Sequence, residues 1–485
     1  MSQEKANINL TNWEIVGVNP NDKNWTWGDM FCFWANNIQS LIGFSLVASL
    51  YLVYDLNIII VFTSCLLAGL LVAIFANLVG SPSQKYGLPF PVILRSSFGV
   101  GGARYVALLR GIVGIFMFGV QTFFISKSIG YLIRILFFNI NYTILDHELL
   151  LSFLMGMDLI DWLSFVSALI LQFYLFKQGQ NFIKSMLNFS AWFVYLGLVI
   201  FIITVAREYS KEIISAFKLG AKTENLISRE NLIALASITG TLFAYFSIVI
   251  LNIGDFSRYI KSSSENSKGN FSLIINLIIF SFASVFIVLG ADIIMAKQFL
   301  EVDQLLTNPT DIIGKIDSNY LTVIAILFIL VASGSTNLIA NYIPTQNTLL
   351  NFFPKSFDKT NSGWLIIILG LVPGALWLPI LSQSGVLSII DTIGSFFGPI
   401  AGVIIADYYL IKNKEFISKD IFSDSKSAAY FYSNGWQIKG VYAMFIGFVF
   451  AASTIWNVEL RFLQSFAWLI GAFVSYITYY LMASK

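Results

Sequence analysis

The sequence predicts an all-α integral membrane protein of about twelve transmembrane helices. Three observations predict it. Of 485 residues, 57% are hydrophobic and only 12% are charged, about half the charged share of an average soluble domain. The apolar residues gather in windows of roughly 20, long enough to cross a bilayer. The chain has one histidine, His147, and two cysteines, Cys32 and Cys65, both in apolar runs, so disulfide frameworks, cysteine-rich metal sites and histidine clusters are left out. So little charge cannot cover the surface of a soluble protein of this length, and disordered chains are richer in charge still. A net charge of +2, from 29 basic and 27 acidic residues without a basic block, offers no footprint for nucleic acid.

The windows fall near 30–53, 56–79, 103–138, 160–177, 187–206, 233–254, 271–295, 318–349, 363–381, 386–411, 439–456 and 463–482. Between the second and third, segment 90–100 is too short to cross and contains Pro91. It reads as a re-entrant or interfacial piece, tolerated only where protein covers its backbone. A polar stretch, 1–28, precedes the first window, without the short apolar core or cleavage site of a secretory signal. Lys85, Arg95, Lys177, Lys184, Arg258, Lys261 and Lys412 lie in loops on one side, whereas loop 139–159 on the other has no Lys or Arg. Basic residues favour the cytoplasmic face, which predicts cytoplasmic N- and C-termini in the cell (inner) membrane. The even count allows two halves of five helices plus two extra, a plan used by transporters.

Polar residues inside these windows carry the functional reading, because each must find a partner or a cavity. The first window is interrupted by Asn36-Asn37-Ile38-Gln39-Ser40, and the third carries Gln121-Thr122 near its middle. The sixth ends in Asn252-Ile253-Gly254-Asp255, and the eighth holds Ala332-Ser333-Gly334-Ser335-Thr336-Asn337, then Asn341 and Pro344. Ala332, Ser335 and Thr336 stand at i, i+3 and i+4 and share a helix face. Two hydroxyls and a carbonyl there are hard oxygen ligands suited to Na⁺. Helix–helix glue is the competing reading for each. The Asn-rich run suggests a broken first helix whose freed carbonyls coordinate a cation; a packed polar seam is the alternative. Gln39, Gln121 and Asn341 offer carboxamides that donate and accept side by side, matching the N–H and C=O edge of an imide, ureide or nucleobase. Trp34, Phe118, Tyr245 and Phe246 could stack on a flat ring.

Several words in order resemble one family, the nucleobase–cation symporter family one. They are Lys85-Tyr86-Gly87-Leu88-Pro89-Phe90-Pro91-Val92 with Ser97-Phe98-Gly99-Val100, Phe118-Gly119-Val120-Gln121-Thr122, Asn252-Ile253-Gly254-Asp255-Phe256-Ser257-Arg258, Thr336-Asn337-Leu338-Ile339-Ala340-Asn341, and Gly398-Pro399-Ile400-Ala401-Gly402 with Ala406-Asp407-Tyr408-Tyr409. The resemblance runs from about Trp25 to the last helices. It implies the leucine-transporter-like fold, a five-plus-five inverted repeat plus two extra helices. The divisions are then 29–206 for the first repeat, 233–411 for the second and 439–482 for the added pair. It also implies import of a planar heterocycle (purine, pyrimidine, allantoin or hydantoin class) coupled to Na⁺ or H⁺ by alternating access, with no organic cofactor and no protein partner. Carried over by position, carbonyls of Ala35, Ile38 and Ala332 and hydroxyls of Ser335 and Thr336 would hold Na⁺. Gln39, Gln121 and Asn341, with Asn337 adjacent, would hold the substrate. At the positions where the hydantoin-type member places tryptophans, this chain has Met117 and Phe246, and Tyr245 replaces a usually small residue, so that substrate does not carry over.

Arg110, Lys127 and Asp391 lie deepest among the charges. Lys127 is expected to snorkel outward, and Asp391 reads as a proton site or a helix cap. Arg258 follows Asp255 at i+3, as a gate or a surface ion pair. A passive channel is the rival reading. Tyr54-Asp55 and Gly254-Asp255 match the motifs of an intramembrane aspartyl protease only superficially, and a metalloenzyme lacks its ligand clusters.

Overall fold

The computed structural model describes residues 10–39, 57–221, 226–298, 319–383 and 386–484. Among them, twelve helical runs follow in the expected order. They are α1 Trp27–Ile38, α2 Ile58–Tyr86, α3 Phe90–Asn141, α4 Leu159–Phe176, α5 Gln180–Gly220 and α6 Arg229–Asn252. Then come α7 Ser263–Gln298, α8 Asn319–Asn337 with its continuation Ile343–Phe352, α9 Lys359–Ala375, α10 Val386–Gly394 with Phe397–Ala406, α11 Ile438–Trp456 and α12 Ala467–Ala483. Ten stretches are long and apolar enough to cross a membrane; α1 and α9 are shorter among the described residues. The rest of the first window, with Ser40, and the Tyr54-Asp55 pair lie outside the described residues.

Packing divides the helices into two groups. α1, α2, α6 and α7 pack on one another, through α1–α7, α2–α6 and α2–α7. α3 packs on α4, α8 and α9. The contacts exchange as an inverted repeat requires, since α1–α7 mirrors α6–α2 once the first five helices are matched to the second five. α5 touches both groups, through α1, α7 and α8, while α12 packs on α10 and α11 outside them. Elements that span the seam between the two groups are where a transporter site belongs.

Segment 90–100 is a short helical piece that runs on into the third spanning helix. It is the first part of α3, set off from the spanning part by a kink at Gly99, the one non-helical residue inside that run. Protein covers it completely, from Phe90 to Val100. Gly99 has φ 82°, and a Cβ there would collide with the Gly435 carbonyl. That carbonyl accepts from the Gly101 amide at 2.7 Å, so it cannot retreat cheaply. Gly99→Ala is therefore expected to destabilise by about 1–3 kcal/mol, read as a lower melting temperature of the purified protein.

The polar N-terminal stretch is tied to one face of the bundle. Val18 donates to Gly87, and Trp25 exchanges backbone hydrogen bonds with Tyr259 and Lys261. Buried Arg258 donates to the Val16 carbonyl at 3.0 Å, while buried Asp255 accepts from the Phe90 amide at 3.1 Å. Of the two readings, gate or surface ion pair, the surface pair is not the arrangement found: both residues are buried and each bonds to backbone on another segment.

Candidate functional site

Two interruptions fall at the seam. α1 stops at Ile38, and Gln39 is its C-cap. The last carbonyls of a helix have no intrahelical donor and carry the negative end of its dipole. Here two of them are met from the opposite half-repeat. Thr336 Oγ1 donates to the Asn36 carbonyl at 2.6 Å, and Tyr245 Oη to the Asn37 carbonyl at 2.9 Å. The second interruption is a π-helical turn, Leu338–Tyr342, inserted in α8 just beyond Asn337. Such a bulge turns side chains out of register and is frequent at functional sites; it carries Asn341 toward α3.

Around Thr336 the oxygens cluster. Thr336 Oγ1 also reaches the Ala332 carbonyl at 2.9 Å, as does Ser335 Oγ, likewise at 2.9 Å. Ser190 of α5 donates to Ser335 Oγ at 2.9 Å. A set of neutral hydroxyl and carbonyl oxygens at a helix C-terminus, without a histidine or thiolate, fits a hard monovalent cation. Thr336 and Ala332 meet as the sequence predicts. From α1, however, it is the Asn36 carbonyl that Thr336 reaches; the Ala35 carbonyl accepts the Gln39 amide at 2.9 Å.

The amides form a second cluster one turn away. Asn341 Nδ2 donates to Gln121 Oε1 at 3.0 Å and to Asn337 Oδ1 at 2.9 Å. Gln121 Nε2 reaches the Ser333 carbonyl at 3.4 Å. Asn337 looks the other way: its Nδ2 donates to Gln172 Oε1 at 2.8 Å and to Thr122 Oγ1 at 3.1 Å. Its amide is committed to holding α8 against α3 and α4. Gln39 Nε2 reaches the Ala191 carbonyl of α5 at 3.4 Å, and its Oε1 is buried without a partner among the described residues. An acceptor buried and unpaired costs free energy unless something donates to it, as an N–H edge would. Phe246 is buried edge-on against Trp34, with centroids 6.1 Å apart, whereas Met117 and Tyr245 line a cavity.

Gln172 and Ser190 join the site without belonging to any motif. The only signal of them in the sequence is a lone amide in the fourth window and one of three hydroxyls in the fifth. Arg110, which spacing leaves without a role, is fully buried, with Nε on Asn252 Oδ1 at 2.9 Å and Nη2 on the Ala340 carbonyl inside the π turn. Lys127 does not simply snorkel: it pairs with Asp161 of α4 at 2.6 Å, beside Arg134. Asp391 lies inside Val386–Gly394, past the first turn, so it is no cap.

A family model described as "Permease for cytosine/purines, uracil, thiamine, allantoin" matches residues 17–480. The allantoin permease of Bacillus subtilis is 26% identical, over 99% of this chain and 94% of that protein. The purine-uracil permease NCS1 of Arabidopsis thaliana is 28% identical, over 91% and 70%. These relatives are permeases, not enzymes. Among solved structures, Mhp1, a nucleobase-cation-symport-1 family transporter in a closed conformation with bromovinylhydantoin bound, superposes with TM-score 0.72. It is 17% identical, with 97% of this chain and 95% of that one covered. A Na⁺-coupled sialic acid symporter superposes with TM-score 0.67 at 13% identity, covering 99% of this chain and 92% of that one. The chain, an integral membrane protein with the leucine-transporter-like fold, belongs to the family of permeases for cytosine/purines, uracil, thiamine and allantoin.

Proposed function

We propose that this protein imports a planar heterocycle bearing adjacent N–H and C=O groups, coupled to Na⁺ by alternating access. The observation that carries the reading is the meeting of α1 and α8 at Thr336 and Asn36, 2.6 Å apart, on the same helix as the Asn341–Gln121 amide pair. One helix thereby touches both ligands. Na⁺ would be held by the Ser335 and Thr336 hydroxyls with carbonyls of Ala332 and of the last turn of α1, including Ala35 and Ile38. Gln39, Gln121 and Asn341 would read the heterocycle's edge, Met117, Tyr245 and Phe246 would shape its flat faces, and Asn337 would hold Asn341 in place. The compounds after which the relatives are named, allantoin and purine-uracil, have that edge and support the class.

Joining the helix that moves with α1 to the helix that reads the substrate gives coupling a physical route. A ligand that holds α1 against α8 favours the state in which the amides are assembled, and by linkage the substrate strengthens cation binding equally. Accumulation of radiolabelled allantoin or uracil in proteoliposomes above the external concentration, under an inward Na⁺ gradient, tests active transport. Mere equilibration would make the protein a passive facilitator.

A proton in place of Na⁺ is favoured by one observation, and it concerns Asp255 rather than Asp391. Burial pushes the Asp255 carboxyl up to about 7, against the pull of the Asn347 side chain, the Phe90 amide, Arg258 and Arg110. The group holds its proton below that pH and loses it above. In the proton reading, uptake therefore falls as pH rises through about 7 and Asp255→Asn removes the dependence. In the Na⁺ reading, Asp255→Asn leaves the Na⁺ dependence intact.

A further inference from the structure

A cavity of about 570 Å³ lies beyond Met117 and Tyr245, within the size range of small-molecule sites. Its outer lining comes from the start of α10, the end of α11 and the 3₁₀ segment Val458–Phe466 before α12. All three lie on the face opposite the N-terminal stretch. Its inner wall includes Met117, one turn before Gln121 on α3, and Tyr245, whose hydroxyl rests on α1. The cavity thus borders the proposed central site at Met117 and Tyr245.

Two charged side chains line it, Asp391 and Arg461. Neither forms an ion pair or a side-chain hydrogen bond with another described residue. They are therefore available to a ligand. A carboxylate accepts from N–H groups and a guanidinium donates to carbonyl oxygens, and such charge-assisted bonds are the stronger kind. An acceptor and a donor presented to one space match the alternating N–H and C=O edge that the central amides also match. The apolar Val113, Ile248 and Phe397 give the same space flat walls.

We propose that this cavity is an entry subsite, where Asp391 and Arg461 capture the transported heterocycle by its polar edge before Met117 and Tyr245 admit it to the central site. The inference rests on the proposed substrate class. It makes Asp391 a recognition residue and not a coupling carboxylate. It also places part of the specificity in the 3₁₀ segment outside the repeats, at Arg461.

The test is paired binding and uptake with radiolabelled allantoin, uracil and hydantoin, using the full-length protein and the variants Asp391→Asn, Arg461→Gln and their double. For a compound the wild type binds, the double variant is expected to raise the KM for uptake about tenfold, and to leave high-affinity binding in detergent within twofold. Saturation binding should fall from two sites of unequal affinity to one. Unchanged KM and stoichiometry in the double variant would overturn the entry subsite while leaving the proposed function standing. Loss of the high-affinity site would also overturn it, because Asp391 and Arg461 would then support the central site itself. If the wild type binds none of the three, the proposed function fails and this inference with it.

Discussion

Thr336→Ala is expected to abolish the tightening of substrate binding by Na⁺. The hydroxyl is the only side-chain oxygen seen to bridge the last turn of α1 and α8 among the described residues, with the Asn36 and Ala332 carbonyls at 2.6 and 2.9 Å. Removing it would take away a ligand of the proposed cation site and the contact between that site and α1. Coupling free energies between two sites are typically 1–3 kcal/mol, so the wild type should gain roughly 5- to 150-fold in substrate affinity with Na⁺, and the variant about none. The lost hydrogen bond alone costs about 1 kcal/mol of stability, too little to unfold the chain. Thr336→Ser keeps the oxygen and should restore the dependence. Isothermal titration at saturating and zero Na⁺ reads both variants.

Asp407→Ala has the largest expected effect on stability. Its carboxylate is fully buried where α10 ends, in a π turn, Asp407–Ile411. Lys412 donates to both oxygens at 2.5 Å, Tyr479 of α12 to one at 2.7 Å, and Ser97 of α3 to the other at 2.9 Å. One carboxylate thus fastens three helices on the N-terminal face. Burial holds the Lys412 ammonium below its ordinary range, and Asp407 works against that. Removing the acid leaves a buried ammonium without its counter-charge, a loss of about 3–5 kcal/mol. Thermal unfolding of the purified protein should show a fall larger than that of Gly99→Ala. Asp407→Ala combined with Lys412→Met should recover part of it, because no unpaired charge is left behind.

Much of this molecule is legible in its sequence, for a reason peculiar to membranes. Lipid leaves no room for compromise, so apolar windows mark the helices, and polar residues inside them mark whatever needs a partner. The Asn36–Gln39 run foretells the end of α1, and the spacing of Ala332, Ser335 and Thr336 foretells their shared face. Spacing along one helix does not say which other helix stands opposite. Hence Lys127 reads as an isolated charge, although Asp161 awaits it on α4, and Asn337 groups with the substrate amides, although Gln172 and Thr122 claim its donor. The π turn is equally hidden. No residue type demands one, and it holds Ala340, which accepts from Arg110, and Asn341, which donates to Gln121. Segment 90–100 reads as too short to cross by itself, and protein covers it from end to end.

That one helix couples a cation to a heterocycle is tested most directly by equilibrium binding to the purified protein, with and without Na⁺. The ligands are uracil, cytosine, adenine, guanine, hypoxanthine, allantoin and hydantoins. At least one is expected to bind more tightly with Na⁺, and to lose that gain in Thr336→Ala while keeping it in Thr336→Ser. A ligand bound equally well with and without Na⁺ in the wild type would contradict the coupling.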